Sequence, residues 1–187
     1  TVLLPYKNPG GAEIQVSRLD MGTSTAEATA LRFDSVIDGT KENVQYMLDY
    51  AFDQKEERSF GGYQTTAKLA LIRSAGGNIK EDILNQSAGI SGADGSMLVD
   101  LGGVYSDFSY EIAGDTLKVE TSDDNADAEK IKLMVENEIK NVTLNGNDIA
   151  FHREDGVITL SNQSADRPSG GSGGGGIIDR KPSQGGS

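Results

Sequence analysis

In "SDDNADAEKIKLMVENEIK", residues 122–140, Ala128, Ile131, Val135 and Ile139 recur at helical spacing, with Met134 beside them. Ser122, Asp123 and Asp124 offer an N-cap and an acidic first turn. Lys140 falls at the carbonyl end, where a cation suits the helix dipole. The spacing predicts an amphipathic helix packed on a sheet. A shorter helix is expected from Asn78, with Glu81 completing a capping box and Ile79, Ile83 and Leu84 facing inward.

Outward from this segment the chain reads as strands separated by glycine pairs. Ile14 and Val16 alternate with polar residues, and Leu31, Phe33, Ser35 and Ile37 share one face of "ALRFDSVID". "ENVQYMLDYAFDQKEE" fits both periods, since Val44, Met47, Leu48 and Ala51 make a helical stripe. Its alternation of Val44, Tyr46, Leu48, Tyr50 and Phe52 favours a strand, because aromatic and branched side chains suit a pleated surface. "TTAKLALIRS" puts Ala67, Leu69 and Leu71 on one side, and "VYSDFSYEI" groups Val104, Phe108, Tyr110 and Ile112. Gly114-Asp115 turns the latter into "TLKVET". Asn145-Gly146 and Asp155-Gly156 then predict a three-strand meander over 141–162. The expected fold is therefore α+β and mainly β: antiparallel sheets with one or two packed helices and extended terminal arms. The arms are residues 1–11 and a Gly/Ser/Pro-rich tail, 165–187. They flank a globular unit over 12–164 with a sub-boundary near 88–103.

The net charge is -12, which repels phosphate backbones and anionic lipid, so neither nucleic acid nor membrane is an expected partner. Cysteine is absent, so the domain must be held by packing or pairing rather than disulfides. No apolar run is long enough to span a bilayer, and no signal peptide is visible at the start.

Candidate chemistry is sparse. The tail contains Gly171, Gly173 and Gly176 in dinucleotide-site spacing, but no strand precedes them and no helix follows. His152 is the only histidine, with Glu154 and Asp155 near it in sequence, and no motif supplies a nucleophile for it to activate. "DDNADAE" places Asp123, Asn125, Asp127 and Glu129 like the start of an EF-hand loop. Ala128 and Met134 stand where glycine and glutamate are needed. Asp94 and Asp100 are explained by turn chemistry. Sequons at Asn85, Asn141 and Asn162 match chance frequency. No enzyme, metal or cofactor is expected.

Residues 127–162, read as a helix followed by alternating strands with an Asp-Gly turn, resemble the inserts of flagellin and hook-associated proteins over about a fifth of the chain. The long terminal helices of that family have no counterpart here, and no residue role carries over. In the tail, "DRPSGGS" (166–172) recurs as "DRKPSQGGS" (179–187), and Ile177 and Ile178 interrupt the glycines. Such a composition cannot build a core, whereas two adjacent β-branched residues suit addition to a neighbour's sheet edge. The sequence thus suggests a structural subunit of a virion, phage tail or extracellular filament. It would self-associate or meet other structural subunits through its arms, with Ile177 and Ile178 as contacts. The rival class is a β-rich module that binds a glycan or small ligand through exposed tyrosines.

Overall fold

The computed structural model describes residues 14–21, 27–37, 39–51, 55–122 and 127–164. The strands run β1 (Ile14–Arg18), β2 (Ala28–Ile37), β3 (Thr40–Asp49), β4 (Arg58–Phe60) and β5 (Tyr63–Thr65). Next come β6 (Leu69–Ala75), β7 (Asn78–Ser87), β8 (Gly89–Gly92), β9 (Met97–Asp100) and β10 (Ser106–Ala113). The last are β11 (Thr116–Thr121), β12 (Lys132–Met134), β13 (Asn141–Leu144), β14 (Asn147–Glu154) and β15 (Val157–Ser164). They form one ladder in the order β1-β2-β3-β6-β7-β10-β11-β13-β14-β15-β12-β9-β8-β5-β4.

That ladder folds over at β14. Asn147 and Asp148 pair with β13, and from Ile149 onward the same strand pairs with β15, with a register shift between Ile149 and Phe151. A bulge of this kind bends a strand and lets it serve two layers. The halves on either side share one core. Met47, Ile72, Leu84 and Leu117 of the first layer join Phe60, Leu133, Ile158 and Leu160 of the second, each no more than 2% exposed. Burying each such side chain contributes about 1.5–3 kcal/mol. The hairpins are set locally. At Asn145-Gly146 and Asp155-Gly156 both central residues have positive φ (49° and 78°, 49° and 83°), the type I′ geometry that matches strand twist.

The expected α+β class is overturned, because no α-helix exists among the described residues. Residues 128–140 instead form a 3-10 turn at Ala128–Lys130, strand β12, and extended chain. Ile131, Leu133 and Val135 are 3%, 0% and 2% exposed, and Lys132 between them is exposed, so the operative period is two. Positions 131, 135 and 139 satisfy both periods. Leu133 satisfies only the strand, and it pairs with Val99 of β9 and Ile158 of β15. The segment still performs the task usually given to a helix. β11 and β13 are parallel, and parallel neighbours need a long crossover. Here the crossover is a strand in the opposite layer.

The helix expected from Asn78 is likewise strand β7, paired on both sides by β6 and β10. Glu81, rather than capping, accepts a hydrogen bond from Arg73 Nε at 2.8 Å. With the helix gone, the likeness to flagellar inserts loses its first element. "ENVQYMLDY" is a strand, β3, as its composition favours. Its fully buried face, however, is Gln45, Met47 and Asp49, opposite the Val44, Tyr46 and Leu48 alternation. No described helix is long and apolar enough to cross a membrane.

Candidate functional site

The first layer carries apolar side chains on its outward face as well as in the core. Antiparallel partners share a face, so the register places Val16, Phe33 and Val44 in one outward row. A second row runs Leu31, Tyr46, Leu71 and Ile83, and a third joins Leu48 to Leu69. Val16 is 48% exposed and the others are half-buried. Arg73 closes one end, 2.8 Å from Glu81 and 4.0 Å from Glu42. The opposite face of these strands, with Ala30, Met47, Ala70 and Leu84, is in the core. These strands are therefore apolar on both sides, a pattern typical of sheets covered on both faces.

A buried ionic clasp fastens β4, which ends the ladder, to β3 of the first layer. Asp49 at the end of β3 is 0% exposed and lies 3.2 Å from Arg58 Nε of β4 and 3.4 Å from Lys68 Nζ. Lys68 also donates to the Ala51 carbonyl at 2.7 Å, while the Ala51 amide donates to Asp49 at 2.8 Å. Arg58 reaches outward to Glu56 at 3.0 Å and Glu27 at 3.6 Å. Burial pushes the Asp49 carboxyl up, but hydrogen bonds from Arg58 and Ala51 and the charges of Arg58 and Lys68 outweigh it. The group is held below the usual carboxylate range. Since β4 ends the second layer and β3 lies in the first, this cluster is structural.

Between the layers lies a cleft of about 490 Å³, walled by Tyr63 of β5, Asn78 and Ile79 of β7, Leu98 of β9, Met134 of β12 and Asn137. Its loop wall is rigid. The Arg153 guanidinium donates to the carbonyls of Asn137 (2.8 Å) and Val135 (2.6 Å), and Lys80 Nζ donates to Asn137 Oδ1 at 3.3 Å. Asp82, the next inward-facing residue along β7, is 2% exposed, and its Oδ1 has no hydrogen-bond partner. Burial pushes its carboxyl up to about 8, with only the Ile83 amide opposing. Its charge bears on both Tyr63 and Tyr110, whose hydroxyls are pushed up chiefly by their own burial. Sequence reasoning passed over Tyr63, Asn78, Asp82 and Asn137. The pairs Gly61-Gly62 and Gly76-Gly77 marked the turns beside them but not that the two turns meet.

The residues singled out in the sequence do not converge. His152 is exposed on β14, with Nε2 3.8 Å from Glu154. Asp94 accepts from Ser96 and Asp100 from the Gly102 amide at 2.8 Å, each within a local turn, whereas Asp127 accepts from Asn162 Nδ2 of β15 at 2.9 Å. No group of three potential metal ligands exists among the described residues. Of the sequons, Asn85 donates to Asp107 at 2.6 Å and Asn141 is exposed. Asp123, Asn125, the arms 1–11 and 165–187, and with them Ile177 and Ile178, lie outside the described residues. No protein-family model and no curated protein matches the chain.

Proposed function

We propose that the protein is a non-catalytic structural subunit of a virion, phage tail or extracellular filament, meeting copies of itself through the outward face of β1, β2, β3, β6 and β7. The observation that carries this reading is the outward apolar face, whose half-buried side chains adjoin in continuous rows rather than standing singly. A second copy is the fitting occupant. The rows run out to β1, which ends the ladder and has a strand partner on one side only among the described residues. Two such edges paired about a two-fold axis would continue both the hydrogen-bond ladder and the apolar rows. The terminal arms, with Ile177 and Ile178, enter the same reading as further subunit contacts.

The test is sedimentation of the full chain over a concentration range, beside a Val44→Thr, Leu71→Thr double variant. Threonine has the β-branched shape that strands favour and removes apolar surface. The expected result is association that the variant weakens by an order of magnitude or more while still folding cooperatively. A wild-type chain that stays monomeric throughout, or a variant that associates equally well, refutes the reading.

A further inference from the structure

We infer that the interlayer cleft is a binding site for a short, uncharged saccharide, an assignment independent of the assembly reading. The volume, about 490 Å³, falls in the range of small-ligand sites, and its walls combine apolar surface with a few fixed polar groups. Tyr63 supplies the platform. Its ring is braced by Phe60, with centroids 5.9 Å apart at 48°, so its position is set before any ligand arrives. Ile79, Leu98 and Met134 add apolar surface for the C–H faces of a sugar ring.

The polar groups are of the matching kind. Among the described residues, neither the Tyr63 hydroxyl nor the Asn78 side-chain amide makes a hydrogen bond, although Asp82 and Arg32 act on the Tyr63 hydroxyl electrostatically. Asn137 is held through its two oxygens, which leaves its NH₂ to donate. Amides and phenols both donate and accept, as vicinal hydroxyls require. Charge narrows the class further. The only ionisable carboxylates in the wall are Asp94 and Glu136, and no lysine or arginine lines it, so a phosphate or carboxylate ligand is disfavoured. A cationic ligand fares little better. Asp94 is already engaged by the Ser96 amide at 2.9 Å and its hydroxyl at 2.6 Å, and Glu136 is exposed to water.

The chain has four methionines, and ¹³C-methyl labelling gives each a signal. Met134 reports on the cleft, and fully buried Met47 reports on the integrity of the core. Maltose, cellobiose, lactose and diacetylchitobiose are titrated to roughly 20 mM, above the millimolar dissociation constants typical of weak small-ligand sites. Glucosamine and glucose 6-phosphate form the charged arms. At least one neutral disaccharide should move the Met134 signal saturably and leave Met47 in place. Tyr63→Phe keeps the ring and removes one hydroxyl, and it should weaken binding about five-fold, as should Asn78→Ala. An unmoved Met134 signal with all four disaccharides overturns the assignment. So does a stronger response to either charged sugar, or unchanged affinity in both variants with Met47 undisturbed.

Discussion

Replacing Asp82 by asparagine isolates the consequence of placing a carboxyl in the core. The group is 2% exposed, its Oδ1 is unpartnered, and its folded pKa is about 8 against 3.8 when unperturbed. The folded protein therefore holds a proton on Asp82 through a pH range in which the unfolded chain has released it. Stability attributable to this residue falls as pH rises from near 3.8 and levels off above about 8. Each pH unit inside that window is worth about 1.4 kcal/mol. Between about pH 5 and about pH 9, wild type should lose about 4 kcal/mol relative to Asp82→Asn. The asparagine introduces an amide donor that costs about 1–3 kcal/mol if unpaired. That offset is independent of pH and shifts the difference curve without tilting it. Urea unfolding of both proteins at several pH values gives the curve, with equal m-values as the check that both unfold alike. A difference that stays constant from pH 5 to pH 9 would refute the argument. It would mean that Asp82 is solvated or paired in solution.

Two other perturbations test the remaining structural claims. Arg58→Met removes the principal partner of a fully buried carboxylate and should cost about 3–5 kcal/mol in urea unfolding; a loss under 1 kcal/mol would show that the clasp is solvated. Truncation after Ser164 should leave the melting temperature nearly unchanged while reducing assembly seen in sedimentation, and Ile177→Asp with Ile178→Asp should reproduce most of that loss. Identical sedimentation of all three proteins would show that the tail takes no part.

The strands were legible where a turn signal fixed a hairpin. Asn145-Gly146 and Asp155-Gly156 bracket β14, and Gly114-Asp115 joins β10 to β11, as their sequences suggest. The helix over 122–140 was misread because Ile131, Val135 and Ile139 are four apart, a spacing common to both periods. Leu133 broke the tie, but its weight came from pairing with β9 and β15, strands remote in sequence. Asp82 was illegible for a related reason. "KEDIL" reads as a polar stretch, and only the register with Ile72 and Tyr110 puts that carboxylate inside. The cleft depends on two hairpin turns from opposite layers, a juxtaposition that no local pattern encodes.

Side-chain size and polarity alone do not mark the interior of β3 and β6. A sheet with one wet face alternates apolar and polar residues, and the larger apolar set marks the core. Here the larger side chains, Tyr46, Leu48, Leu69 and Leu71, point outward, whereas the core side carries Ala30, Ala70, Gln45 and Asp49 beside Met47 and Ile72. Small and polar residues suit the inner face, because Gln45 lies against the β4–β5 turn and a Cβ on Gly61 would collide with its Oε1. Bulk excluded from that close approach has no structural reason to reappear on a solvated surface, where threonine, lysine or glutamate would maintain the strands equally well. Such rows on a surface carry a cost in solubility that a covering partner would offset. The apolar rows on the outer side of β3 and β6 are thus the pattern that argues for a partner.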